Sequence, residues 1–221
     1  MSRTWVVVPM YNEAAVVGGV VRDLVAEFGY VVCVDDGSSD HSAQAALEAG
    51  AHVIIHPINL GQGASLQTGI DYALLDPEMT EVLTFDADGQ HQIDDARAMV
   101  GRVRNGNLAI VTGSRFLDER TQLGFLKRVT LRTAARVSRL TTGKSLTDAH
   151  NGLRVLRRDV LERIRITQNR MAHASELVDL LADTGLPWEE HPTHIVYTDY
   201  SRSKGQSLLN GVNILVDLLF K

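Results

Sequence analysis

The first half of the chain alternates short β-branched apolar runs with longer stretches in which apolar residues return every three or four positions. The runs predict strands near 4–9, 30–35, 51–56, 80–86 and 108–113, and the stretches between them predict helices near 13–27, 40–49, 63–75 and 92–104. Strands that are apolar throughout are those covered by helices on both faces, so the pattern predicts a mostly parallel α/β sheet. Right-handed crossovers then bring the strand C-termini to one edge, where open α/β sheets bind ligands. Beyond residue 115 the alternation gives way to a basic, irregular, partly helical stretch. A turn at 147–152, a strand-like Leu153–Leu156, a helix near 174–183 and a strand near 192–198 complete the chain, with no internal repeat or low-complexity segment.

Every polar cluster of the first half follows a predicted strand: Pro9–Glu13, Asp35–Ser38, Asn59–Gly63, Asp86–Asp88 and Gly113–Arg115. One rim therefore collects them. Side chains two apart on a strand share a face, so Asp86 and Asp88 can share one hard divalent cation, directly or through water. Such a cation grips a diphosphate. Oxygen ligands and the absence of a second cysteine point away from structural zinc, and the histidines have no paired metal spacing. His91 reads as a helix-start residue.

A length of 221 residues with 44% hydrophobic content suits one domain with one substantial core. The formal net charge of −5 argues against nucleic-acid binding. A single cysteine, Cys33, lies in an apolar strand run, which excludes an intrachain disulfide and fits a reducing, cytoplasmic compartment with the thiol used for packing. The start is too short for a signal-peptide core or a membrane span. The apolar tract Leu208–Phe220 is broken by Asn210, Asn213 and Asp217, so it is expected either to dock on the core as a terminal helix or to lie along a membrane surface.

An acid after a second parallel strand also describes nicotinamide-binding domains. The glycine test for them fails, because the first strand–helix turn, Pro9-Met10-Tyr11-Asn12-Glu13, has no glycine, and Gly61-Gln62-Gly63 follows a later strand and lacks a third. No Gly-Lys-Ser/Thr follows a glycine loop either.

Taken together, Val6–Glu13, Val34–Asp40, Asn59–Ala64, Asp86–His91, Gly113–Arg115 and Asp148–Arg154 resemble, in order and across nearly the whole chain, the inverting glycosyltransferases of family 2 with the GT-A fold. The resemblance is greatest to polyprenyl-phosphate sugar synthases similar to dolichol-phosphate mannose synthase. It implies one GT-A domain over 1–221, with 1–115 binding the nucleotide sugar and 116–221 serving the acceptor. On the donor side it implies Pro9, Tyr11, Glu13, Gly63 and Ala87 around the nucleotide, Asp36 near the base, and Asp86 near ribose and metal. Asp88 and Asp86, with Gln90 as helper, would hold Mg²⁺ or Mn²⁺ on the diphosphate of a UDP- or GDP-hexose.

Between 115 and 140 the chain is locally basic, and Arg128, Arg132, Arg136 and Arg139 would share one helix face. A solvated face and attraction to an anionic acceptor or lipid headgroups both account for it. The resemblance assigns Arg115 and Arg132 to an acceptor phosphate, and Arg202 and Lys204, in a Ser/Gly-rich segment, to closure over the donor diphosphate. A hydroxyl acceptor needs a carboxylate to take its proton, with Asp148 first and Glu176 second, whereas a lipid phosphate is already anionic.

The expected function is therefore metal-dependent transfer of a hexose to polyprenyl phosphate, with access to lipid by peripheral association at the inner face of a membrane or through a membrane partner protein. Transfer to a glycan or small-molecule hydroxyl in cell-envelope biosynthesis is the alternative. A non-catalytic nucleotide-sugar-binding protein is a remoter one.

Overall fold

A computed structural model of the chain describes residues 3–118, 146–149, 151–169 and 172–196. Among them seven strands form one sheet: β1 (Arg3–Met10), β2 (Tyr30–Asp35), β3 (His52–Ile55), β4 (Met79–Thr84), β5 (Ile110–Ser114), β6 (Arg154–Arg157) and β7 (Trp188–Pro192). The helices are α1 (Val17–Phe28), α2 (Ser42–Glu48), α3 (Gln62–Leu74), α4 (Ile93–Asn105), α5 (Arg158–Leu161) and α6 (His173–Asp183). The strand order is β3-β2-β1-β4-β6-β5-β7. All pairings are parallel except those of β6, which runs antiparallel to both β4 and β5.

The alternation of side chains along the strands divides the core in two. Val6, Val8, Val31, Cys33, Leu83 and Val155 pack on one face against Val17, Val21 and Leu24 of α1 and Met99 and Val103 of α4. Val7, Val32, Val34, Val82, Ile110 and Leu156 pack on the other against Leu66 and Ile70 of α3 and Leu177 and Leu181 of α6. β1 and β2 are thus apolar on both faces over most of their length, which is why Trp5–Val8 and Val31–Val34 read as unbroken runs. On α1, Val17, Val21 and Leu24 fall one helical turn apart and form its buried stripe. On α4, Asp94 and Asp95 in the first turn and Arg102 and Arg104 in the last complement the helix dipole.

The mostly parallel sheet with helices on both faces is as the sequence predicts, and Cys33 is buried. The last strand differs: it lies at Trp188–Pro192, before the predicted 192–198, paired in parallel with β5 from Ile110↔Trp188 to Ser114↔Pro192. Glu189 and Glu190 hide this strand from a search for apolar alternation, and the more hydrophobic Ile195-Val196 follows it. The direction of β6 positions the site. An antiparallel strand enters the sheet at the edge where its parallel neighbours leave, so the segment leading into β6 lies on the rim beside the end of β4, with Thr84 opposite Arg154.

Candidate active site

The rim is built from turns that hold one another. Asn12, after β1, adopts a left-handed conformation with φ 55°, a region asparagine tolerates better than most residues. Its backbone N–H donates to Ser38 Oγ at 2.8 Å and its Oδ1 accepts from Ser39 N–H at 2.8 Å, stitching the turn after β1 to the turn after β2. Glu13 N–H donates to Ser42 Oγ at 2.7 Å.

Behind this stitching lies a crevice of about 510 Å³ lined by Pro9, Tyr11, Glu13, Asp36, Gln62, Asp86, Ala87 and Asp88 among others. Seven of the predicted donor-side residues thus share one cavity. A larger depression, of about 820 Å³, opens among Arg3, Glu27, Tyr30, Arg97 and Arg104 at the other end of the strands. Its arginines are neutralised locally by Asp76, Glu27 and Glu81.

Asp36 is buried and heavily bonded. Its Oδ1 accepts from His56 Nδ1–H and Leu60 N–H, each at 2.9 Å, and its Oδ2 accepts from Gly61 N–H at 2.7 Å. Burial alone raises such a carboxyl, but these three donors and the nearby imidazole outweigh it and hold Asp36 below the usual carboxylate range. His56 Nε2 in turn meets Thr68 Oγ1 at 3.0 Å. Asp36 therefore fixes the loop 59–61 as well as lining the crevice.

Asp86 and Asp88 follow β4. Asp86 Oδ2 lies 3.0 Å from His91 Nε2, and its Oδ1 accepts from Gln62 Nε2–H at 3.3 Å. A methyl group on Gly152 would sit 2.2 Å from Asp86 Oδ2, so only glycine lets the lead-in to β6 pass so close. Burial pushes Asp86 up, but the bond and charge of His91, with Arg154 and His173, bring it below its ordinary value. Asp88 goes the other way: burial and then the charge of Asp86 push it up to about 6. It accepts Gln90 N–H at 3.1 Å, and no ion pair to it occurs among the described residues. Gln90 thus meets Asp88 through its backbone.

These residues fit a divalent cation held jointly with a diphosphate. No group of three or more His, Cys, Asp or Glu among the described residues forms a complete protein cage. Mg²⁺-type sites use one or two carboxylates plus substrate phosphates, and Asp88 beside Asp86 offers that.

On the acceptor side the sequence-predicted residues meet in an unforeseen way. Asp148 Oδ2 accepts from Arg115 Nε–H at 2.6 Å, Arg115 N–H at 3.1 Å and Asn151 Nδ2–H at 3.3 Å, with the carboxylate 1% exposed. The proposed base and the proposed phosphate ligand are partners. Glu190 on β7 accepts from the N–H groups of Thr147 and Asp148 at 2.9 and 3.1 Å, and burial raises it.

Glu176, on α6, accepts from Thr167 N–H at 3.0 Å and Gln168 N–H at 2.8 Å. It thereby holds the loop 167–169 against Gly63, whose N–H donates to Asn169 O at 3.1 Å and whose added Cβ would lie 2.0 Å from Gln168 O. Gly63 and Glu176 are thus brought together on that loop. Arg132, Arg202, Lys204 and the tract 208–220 lie outside the described residues.

Sequence reasoning missed His56, Gln62, His91, Asn151 and Arg154. Arg154 is 3% exposed, donates to Ala149 O at 3.2 Å, and its charge acts on both Asp86 and Asp148. A cation two residues after Gly152, flanked by Leu153 and Val155, was the available signal.

The chain is similar to known proteins over most of its length. A protein of Methanocaldococcus jannaschii, the uncharacterized MJ1222, is 34% identical over 100% of this chain and 92% of its own length. The UDP-N-acetylglucosamine–dolichyl-phosphate N-acetylglucosaminyltransferase of Methanococcus voltae is 27% identical over 97% of this chain and 94% of its own. Among solved structures, glucosyl-3-phosphoglycerate synthase from Mycobacterium tuberculosis, in complex with Mn²⁺, uridine diphosphate and phosphoglyceric acid, superposes with a TM-score of 0.69 at 15% identity, covering 98% of this chain and 78% of that one. The family model for glycosyl transferase family 2 matches residues 5–165, and the chain belongs to that family.

Proposed function

We propose that the chain transfers a hexose from a nucleotide-diphosphate sugar to polyprenyl phosphate, with Mg²⁺ or Mn²⁺ bound at Asp88 and Asp86. The carrying observation is the pair of carboxylates at the end of β4, facing the same crevice as Asp36 and Tyr11 and short of positive charge at Asp88. The bound cation would offset the negative charge that grows on the departing nucleoside diphosphate. Pro9, Tyr11, Glu13, Asp36 and Ala87 orient the nucleoside, and Gly63 and Glu176 hold the neighbouring loop 167–169.

Polyprenyl phosphate is favoured over a hydroxyl acceptor by the state of Asp148. Three donors converge on one of its oxygens and the group is buried, which suits a strut that fixes Arg115 better than a base open to an incoming hydroxyl. A phosphate acceptor arrives already ionised and needs no such base. The Methanococcus voltae relative, named for a dolichyl-phosphate acceptor, supports the same choice. Among the described residues no helix is long and apolar enough to cross a membrane, so we assign contact with lipid to peripheral association or a membrane partner.

The test is incubation with a panel of UDP- and GDP-hexoses, polyprenyl phosphate and Mn²⁺ or Mg²⁺, scoring nucleoside diphosphate release and labelled lipid. Metal-dependent formation of a sugar–phospholipid is the expected result. Release only with water-soluble glycans would shift the acceptor to a hydroxyl, and no release with any donor would defeat transfer altogether.

A further inference from the structure

Among the described residues, one buried side-chain nitrogen or oxygen has no hydrogen-bond partner: Nδ1 of His91. The ring is 4% exposed and stands edge-on to Phe85 with centroids 5.4 Å apart. A buried polar atom left unpaired destabilises the fold, and an apolar side chain of similar size would remove that penalty. The other nitrogen of the ring gives the reason for keeping it. Nε2 lies 3.0 Å from Asp86 Oδ2, inside the crevice wall.

We propose that His91 is a positioning residue that fixes the Asp86 carboxylate so that its remaining lone pairs face the bound donor. This rests on the reading of the crevice as a nucleotide-sugar site. Nε2 faces a carboxylate oxygen, which can only accept, so this nitrogen is the one that donates to Asp86. The other side-chain donor, Gln62 Nε2–H, is longer at 3.3 Å and sits at the exposed surface. Gly152 passes against the same carboxylate, where no Cβ fits. Asp86 is therefore held by a close backbone wall and one short side-chain donor. Because Nδ1 is sealed from solvent, His91 acts through Asp86 and is not itself a ligand.

The test compares the full chain with His91→Leu and His91→Gln, measuring UDP and GDP binding with Mn²⁺ by calorimetry, the Tm of each protein, and the Asp86 rotamer by crystallography. His91→Leu is expected to bind roughly tenfold more weakly, the loss typical of a hydrogen bond to a charged group, while still melting cooperatively. His91→Gln, whose amide can donate near the position of Nε2, is expected to recover most of the affinity.

Two results would overturn the proposal: parental affinity in His91→Leu, or equal weakening in both variants while both still melt cooperatively. If the parent binds neither diphosphate, the donor-site reading fails. The rotamer then still decides the His91–Asp86 contact, since a turned Asp86 in His91→Leu supports it and an unmoved one refutes it.

Discussion

Two carboxylate sites lie on one rim and differ in how their charge is met. Asp148, on the segment leading into β6, is closed: Arg115, Asn151 and burial leave it engaged within the protein. Asp88, after β4, is open to the crevice and pushed up to about 6 by burial and by Asp86, so the folded chain carries there a negative charge it has not neutralised. A partly buried carboxylate with no cation beside it is costly, and folds retain such sites where a ligand supplies the positive charge. The contrast separates residues engaged in building the rim from those the proposed function leaves to meet a ligand.

The strongest way to break this contrast is at Asp88. Asp88→Asn is expected to reduce transfer by about 10²–10³-fold or more, the scale for losing a group that stabilises charge at the transition state. Without metal its Tm at pH 7–8 should equal or exceed that of the parent. The sign follows from the raised native pKa: the ionised carboxylate destabilises the fold above about pH 6, and that penalty fades as pH falls towards the unfolded value. Added Mn²⁺ with UDP should raise the Tm of the parent and leave that of Asp88→Asn unmoved. A variant that is both inactive and less stable would make Asp88 a structural residue like Asp148.

Asp148 should behave in the opposite manner. Asp148→Asn leaves the Arg115 guanidinium beside a neutral group, and breaking one side of a buried ion pair costs about 3–5 kcal/mol. Chemical denaturation should show that loss, and the double variant with Arg115→Met should lose less than the sum of the single changes. If turnover instead collapses at parental stability, Asp148 is a base and the acceptor is a hydroxyl.

The first half was legible because its information is local. β1 and β2 carry continuous apolar runs, Asp36 stands immediately after β2, and Asp86 and Asp88 follow β4 in the next turn, so the strand–helix alternation places them on one edge. The second half depends on contacts distant along the chain. Arg115 and Asp148 are 33 positions apart and Thr147 and Glu190 are 43 apart, so neither pairing leaves a periodic trace. The short run at β6 shows no direction, yet its antiparallel entry brings Gly152 against Asp86 and sets Arg154 opposite Thr84. His91 was read as a helix-start residue because tautomers and orphaned atoms exist only in three dimensions.

A smaller effect tests how the two halves join. Gly63→Ala would force a methyl group to within 2.0 Å of Gln168 O, a backbone atom that cannot swing aside as a side chain can. The expected loss is about 1–3 kcal/mol, as for other overpacked contacts, read from the denaturation midpoint. Glu176→Gln, which keeps the size of the group but weakens its hold on Thr167 and Gln168, should move the stability in the same direction by less. If Gly63→Ala left stability intact while weakening nucleotide binding, Gly63 would belong with the open site.

The smallest effect concerns Asp36, a third carboxylate that combines the two conditions by lining the crevice and being bonded on both oxygens. Its pKa is lowered in the fold, so its stabilising contribution is complete above the unfolded value, near 3.8, and disappears as pH falls through the lower native value. Asp36→Asn should therefore be less stable than the parent at pH 6, and the gap should narrow below pH 4. Thermal melts across that range check it. A gap that stays constant would mean that the loop 59–61 is held by shape rather than by the charge of Asp36, which would move Asp36 from the rim's framework to its ligand-facing residues.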